Sequence, residues 1–172
     1  NLALNAGEIA NIRNLAPAFA SNPINGAAAT EDAAYSSSIS ATDPEAETIT
    51  YSKISGPTWL NVAANGNLSG TPANSDVGAN SFTIRASDTS GGVTDVTLNL
   101  NVANSNDAPA FNADPINLAA TEDSVFSDQL SASDIDAGDT LTFSKISGPS
   151  WLTVSSSGAI SGTPGNSSVG PN

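Results

Sequence analysis

Val96, Leu98, Leu100 and Val102 alternate with Asp95, Thr97, Asn99 and Asn101. Side chains along an extended chain point to opposite faces in turn, so this alternation predicts a strand with one face buried. Phe82, Ile84 and Ala86 alternate with Thr83 and Arg85, and Ile49 and Tyr51 alternate with Thr48, Thr50 and Ser52. Turn residues punctuate these runs at Gly56-Pro57, Asn65-Gly66, Gly70-Thr71-Pro72 and Gly91-Gly92. Asn65-Gly66 predicts a tight hairpin between Trp59–Val62 and Leu68, because both residues tolerate positive φ. No segment carries a helical period beyond a single turn.

The pattern occurs twice. Asn14-Leu15-Ala16-Pro17-Ala18-Phe19 returns as Asn106-Asp107-Ala108-Pro109-Ala110-Phe111, and Thr30-Glu31-Asp32 returns as Thr121-Glu122-Asp123. Ser52-Lys53-Ile54-Ser55-Gly56-Pro57 returns unchanged as Ser144–Pro149, followed by Trp151-Leu152 for Trp59-Leu60 and Ser161-Gly162-Thr163-Pro164 for Ser69–Pro72. A period of roughly 90 residues is too long for a solenoid unit and suits an independent sandwich domain of about seven strands. The fold class expected is therefore all-β, as tandem seven-stranded Ig-like or cadherin-like sandwiches, the second incomplete. Repeat 1 spans residues 14–105 and repeat 2 spans 106–172. Residues 1–13 are the tail strand of a preceding repeat or a donor strand. Trp59 and Trp151 sit at one repeat position beside a Leu, and are expected in the core rather than stacked on sugar. Tyr35 and Phe126 match likewise and are expected to face inward.

Repeat 2 stops at the partner of Asn80 and has nothing equivalent to Ser81–Ser105. The preferred expectation is a slice of a longer protein. The alternative is completion by another copy, with Asn1–Asn5 as donor strand in a filament. Five residues cannot replace two strands, which weighs against donation as the whole answer.

Composition narrows the chemistry. The 172 residues hold 17 Asp plus Glu against 4 Lys plus Arg, a formal net charge of -13. Such a chain repels nucleic acid and anionic membrane surfaces and attracts divalent cations. With no Cys, Met or His, disulfides, thiol nucleophiles and Cys/His zinc sites are excluded. No apolar run is long enough to span a membrane. No signal peptide is visible, and the chain starts inside patterned sequence, so a targeting segment is expected upstream. At 38% hydrophobic residues in alternation, the chain is folded rather than a solvated tail.

The string Asp43 … Thr48–Ser52 … Gly56-Pro57-Thr58-Trp59-Leu60 … Gly66 … Leu68–Pro72, then Asp76-Val77-Gly78, Ala86-Ser87-Asp88 and Asn104–Pro109, resembles dystroglycan-type cadherin-like domains. These are tandem modules of bacterial surface and secreted proteins. The resemblance covers nearly the whole chain. It implies an extracellular, calcium-binding sandwich used in adhesion or as a spacer.

The acids point the same way. Calcium takes six to eight oxygens, mostly carboxylate and carbonyl. Asp134-Ile135-Asp136 puts two carboxylates on one side of an extended segment, Asn106-Asp107 lies where the repeats meet, and Glu31 precedes the first clear strand of repeat 1. In animal cadherins, a Glu near the domain start, an Asn-Asp linker and a following Asp-x-Asp hold calcium between domains. On that resemblance Glu31, Asn104, Asn106, Asp107, Asp134 and Asp136 are the Ca2+ ligands. Asp43, Glu45, Asp76 and Asp88 form a weaker set, since repeat 1 has Asp43-Pro44-Glu45 for Asp-x-Asp and Leu15 for Asp107. The cadherin Asp-Arg-Glu motif is absent. Acids that merely solubilise the surface are the competing reading.

Catalysis is not expected, because candidate carboxylate pairs recur in both copies at module ends and turns. The leading function is a calcium-stiffened stalk or spacer in an extracellular or cell-surface protein. Glycan binding by an accessory module of a polysaccharide-degrading enzyme is the alternative, set against an aromatic content of only 5%. Expected partners are covalent tandem neighbours, homotypic contacts or glycans, with no nucleic acid and no membrane insertion.

Overall fold

The computed structural model describes residues 3, 14–168 and 170. The strand expected over residues 1–13, and the donor role of Asn1–Asn5, lie outside these residues apart from Ala3. The chain divides into two compact units, Asn1–Ser105 and Asn106–Asn172, here called module 1 and module 2.

Module 1 is a two-sheet sandwich. One sheet runs β1 (Ile24–Asn25), β8 (Val93–Ala103), β7 (Gly78–Ser87) and β4 (Thr50–Ser55), with β2 (Ala29–Thr30) also on β8. The other runs β3 (Tyr35–Ser38), β6 (Asn67–Gly70) and β5 (Leu60–Val62). Strands β1 and β2 both lie parallel to β8, with Ile24 opposite Leu98 and Ala29 opposite Val102. They are two pieces of one interrupted strand, which makes seven strands among the described residues of module 1.

The long hairpin β7–β8 pairs without a break from Gly78 opposite Val102 to Ser87 opposite Val93. The alternation sets which residues it buries: Phe82, Ile84 and Ala86 from β7, and Val96, Leu98, Leu100 and Val102 from β8. Across the core they meet Tyr35, Leu60 and Leu68 of the other sheet, and Ile39 just after β3. Trp59 packs edge-on against both Tyr35 and Phe82, with ring centroids 5.8 and 5.6 Å apart, and its Nε1 donates to Asn80 Oδ1 at 3.0 Å. Each ring edge faces a π surface, the favoured aromatic geometry. The tryptophan is thus partly buried and packed against the core.

The β5–β6 connection differs from the expected two-residue turn. Ala63 N–H donates to Asn67 O and Gly66 N–H to Ala63 O, with only Gly66 at positive φ, +87°. This is a type I turn closed by a glycine bulge. Asn65 keeps negative φ because its side chain is used locally, accepting the Asn67 N–H at 3.1 Å.

Module 2 contains β9 (Ala110–Phe111), β10 (Phe126–Gln129), β11 (Ala132–Ser133), β12 (Leu152–Val154) and β13 (Ala159–Gly162). The sheet β10-β13-β12 repeats the β3-β6-β5 sheet of module 1, and β9 pairs with β11. Trp151 stacks edge-on against Phe126, centroids 6.1 Å apart. Among the described residues nothing takes the place of β7 and β8.

Candidate functional site: carboxylate loops at the module ends

Strand β11 ends at Ser133, so Asp134 and Asp136 are in a loop and not on one side of an extended segment. The reason is local. Asp134 Oδ1 accepts the Asp136 N–H at 2.9 Å, an Asx turn that bends the backbone out of the strand. The bend still gathers the acids. Carboxylate oxygens of Asp134, Asp136 and Asp139 all lie within 4.8 Å of one another. Asp136 is buried, and its Oδ2 accepts the Asp107 N–H at 2.6 Å.

Module 1 builds the same loop from different letters. Asp43 Oδ1 accepts the N–H groups of Glu45 and Glu47, at 2.9 and 3.1 Å, and Glu45 Oε2 accepts the Leu15 N–H at 3.1 Å. Leu15 and Asp107 hold equivalent places in the repeat. Their backbone N–H, not their side chain, makes the bond, so the Leu-for-Asp replacement leaves it intact. Ala46 takes positive φ, +59°, to close the loop, where module 2 uses Gly138 at +101°.

The β7–β8 turn adds to the module 1 loop. Asp88 Oδ1 accepts Ser90 N–H at 2.9 Å, Gly92 N–H at 2.7 Å and Asn14 Nδ2 at 3.5 Å. Glu47 binds Ser90 through N–H at 3.1 Å and Oγ at 2.5 Å. Gly92 has to be glycine, because a Cβ there would strike Asp88 Oδ2 and the backbone of Ala16. Hydrogen bonds to the shared backbone bring Asn14, Asp43, Glu45, Glu47 and Asp88 to one end of module 1, but their carboxylate oxygens do not gather as those of Asp134, Asp136 and Asp139 do. Asn14, Glu47 and Asp139 were not among the expected ligands. The repeat alignment holds the signal, since Glu47 and Asp139 are equivalent once Gly138 is read as an insertion.

Glu31 belongs to the other end of module 1. It follows β2 directly, where the sequence placed it before the first clear strand; the two short pieces β1 and β2 carry too little alternation to read. It is 1% exposed, its N–H bonds to Ala103 O and its Oε1 accepts the Ser105 N–H at 2.6 Å. Asn104 and Asn106 are exposed, and Asn106 Nδ2 donates to Asp107 O at 2.7 Å. Asp76 is not joined to these acids. Its Oδ2 caps its own turn at Ala73 N–H, 2.9 Å, and its carbonyl accepts Asn80 Nδ2.

Three carboxylate oxygens, Glu31 Oε2, Asp43 Oδ2 and Asp88 Oδ2, are buried with no hydrogen-bond partner. The described basic side chains are engaged elsewhere. Lys53 Nζ donates to Pro57 O and Leu60 O, and Lys145 Nζ to Pro149 O and Leu152 O. Arg85 grips Asp95 side-on, at 2.8 Å through both Nε and Nη2. That hydrogen-bonded guanidinium holds the Asp95 carboxyl below the usual carboxylate range. Buried anionic oxygen without a donor is costly. Hard oxygen ligands with no sulfur or imidazole suit calcium or magnesium rather than a transition metal.

A family profile described as Putative Ig domain (He_PIG) matches residues 16–103 and again 108–171. Comparison with curated proteins gives no match. Among solved structures, the endo-fucoidan hydrolase MfFcnA4 from glycoside hydrolase family 107 is 30% identical, with a TM-score of 0.52, over 96% of this chain and 26% of that one. Human CDH23 EC21-23 is 19% identical with a TM-score of 0.61, over 89% of this chain and 55% of that one. Mouse Cadherin-23 EC22-24 is 21% identical with a TM-score of 0.58, at the same coverage of 89% and 55%. The chain thus spans about a quarter of the hydrolase and about half of each cadherin fragment.

Proposed function

The chain belongs to the Putative Ig domain family, and from that premise we propose that it is a non-catalytic, calcium-binding spacer within a larger secreted or cell-surface protein. The observation that carries this reading is the set of buried carboxylate oxygens with no donor, at Glu31, Asp43 and Asp88, in a protein whose described bases are all used elsewhere. Where carboxylates do converge, as at Asp134, Asp136 and Asp139, a divalent ion turns repulsion among them into attraction.

The proposed ligands fall on three stretches. Asp43, Glu45, Glu47 and Asp88 serve one end of module 1. Asp134, Asp136 and Asp139 form the equivalent loop of module 2. The linker carries the rest: Ser105 N–H holds Glu31 and Asp107 N–H holds Asp136, two residues apart in the chain. With Asn104, Asn106 and Asp107 added, calcium taken up by this stretch fixes the linker in one conformation. Asp76, already capping its own turn, is the weakest member of the expected set. The finer assignment to the dystroglycan-type cadherin-like subgroup, and extracellular placement, belong to the same proposal.

Small-angle scattering of the 172-residue chain tests the stiffening. The radius of gyration rises in millimolar calcium relative to chelator and its spread narrows. Equal dimensions in both conditions would refute the spacer mechanism.

The hydrolase similarity favours a second reading, in which these modules are the accessory part of a secreted polysaccharide-degrading enzyme. As a spacer the chain would hold such an enzyme's catalytic domain away from a surface. Direct glycan binding has less support, since Trp59 lies between Tyr35 and Phe82 against the core. Silence on a glycan array removes the glycan-binding version and leaves the spacer.

A further inference from the structure

In module 1 the pieces β1 and β2 form a strap laid along β8. Both run parallel to it, so the chain enters at one end of the pair and leaves, after Ala103, at the other. Tension along the chain therefore pulls the strap and β8 in opposite directions. It slides them past each other instead of peeling them apart bond by bond.

The strap is interrupted. From Asn25 to Ala29 it takes four steps, while β8 takes three, from Asn99 to Val102. Residues 26–28 thus hold one spare residue, as a bulge does, or about 3.3 Å of extended chain. β1 is fastened by Asn22 Oδ1, which accepts the Thr97 N–H at 3.1 Å, by Gly26 N–H, which donates to Asn99 O at 3.0 Å, and by half-buried Ile24. β2 is fastened more firmly. Ala29 and Glu31 are 3% and 1% exposed, Glu31 N–H donates to Ala103 O at 3.1 Å, and Glu31 Oε1 accepts the Ser105 N–H, a short charge-assisted bond.

The lengths decide the order of failure. Sliding by about 2 Å stretches a perpendicular hydrogen bond of about 3.0 Å to about 3.6 Å, where it is lost. The slack of about 3.3 Å is larger, so the bonds of β1 break before tension reaches β2. Nor can β1 pair again one residue along, because that slip would turn Ile24 away from the core.

We propose that the strap is a two-stage mechanical catch. Under load β1 lets go and the spare residue straightens, while β2 holds the core of module 1 closed; on release β1 pairs again. The catch gives the proposed spacer its use of this device, but its action needs no calcium.

The chain has no cysteine, so Ser21→Cys and Ser105→Cys supply two handles with only module 1 between them. The 172-residue chain is stretched by single-molecule force spectroscopy in EDTA, where failure of the calcium reading leaves the result untouched. Asn22→Ala weakens β1 and is expected to leave the peak unfolding force unchanged, because β2 sets it. Deleting Ala28 makes the strap three steps against three. Both pieces then share the load, the peak rises, and Asn22→Ala now lowers it. A peak that falls with Asn22→Ala alone, or that ignores the deletion, overturns the catch. Amide hydrogen exchange of the unaltered chain decides the matter if the deletion prevents folding. After correction for intrinsic rates, Gly26 N–H should exchange roughly tenfold or more faster than Glu31 N–H, through local release of β1. Equal protection of the two overturns the proposal.

Discussion

The hexapeptide Ser-Lys-Ile-Ser-Gly-Pro stands at residues 52–57 and again at 144–149, but only the first copy contributes a strand, β4. The lysine contacts and the glycine φ are the same in both. The difference is the neighbour: Ser52 and Lys53 lie opposite Arg85 and Ile84 of β7, and residues 144–149 lie opposite nothing described. Strand state here is a property of the pair and not of the sequence, since a ladder hydrogen bond needs a second backbone. The same contrast marks the cores. Of the 13 buried hydrophobic residues among those described, 12 are in module 1 and one, Ile160, is in module 2, and seven of the 12 come from β7 and β8.

That contrast breaks most sharply at Phe82. Phe82→Ala should cost module 1 about 3–5 kcal/mol by emptying the centre of the core. Phe126→Ala in module 2 should cost less than half of that, because the ring is only partly covered. Urea unfolding of both variants checks the ratio, and equal losses would mean that module 2 has a core as closed as module 1.

Next come the paired glycines. Both sit at positive φ, so alanine strains each by about 1–3 kcal/mol, but only Gly56→Ala also drives a methyl into Phe82 and Ser81. Gly56→Ala is expected to be the worse of the two by calorimetry. A larger loss at Gly148→Ala would place a neighbour over module 2.

The smallest effect is the most diagnostic. Trp59→Phe replaces the indole by a smaller phenyl ring and loses the Asn80 bond, costing about 1 kcal/mol for the bond and somewhat more for the lost packing. Trp151→Phe removes a buried donor that has no acceptor and should be neutral or stabilising in the chain alone. Equal destabilisation by both would show that Trp151 Nε1 has found a partner.

Much of this was legible in the sequence. The period-two alternation of residues 82–86 and 96–102 located β7 and β8 and named the residues they bury, because a long half-buried strand leaves a regular trace. The repeat located Trp59 against the core by its matching position in both copies. The two-residue pieces β1 and β2 left no such trace, so the sequence placed Glu31 correctly before the first clear strand but not directly after β2. The turn at Asn65-Gly66 was recognisable from its residues, but its length was decided by the Asn65 side chain bonding to Asn67.

The acid loops were half legible. Asp134 and Asp136 stood out by spacing, yet the spacing was read as an extended strand because the Asx turn that brings them together leaves the same i, i+2 pattern. Asn14 became visible only when the loops at residues 14–17, 43–47 and 88–92 came to one end of module 1, and Glu47 only through those loops or its repeat equivalent Asp139. Nothing about an isolated Glu47 distinguishes it from a solvated surface acid.

Differential scanning calorimetry of the 172-residue chain in calcium, magnesium and EDTA bears most closely on the proposed calcium site. Extracellular modules bind calcium with dissociation constants of about 0.1–1 mM, so about 10 mM calcium should stabilise module 1 by about 1.4–2.7 kcal/mol. The expected result is a rise of several degrees in its melting temperature that magnesium does not reproduce and that Asp88→Asn abolishes. A wild-type melting temperature identical in calcium and EDTA would contradict it and leave the buried carboxylates without an ion.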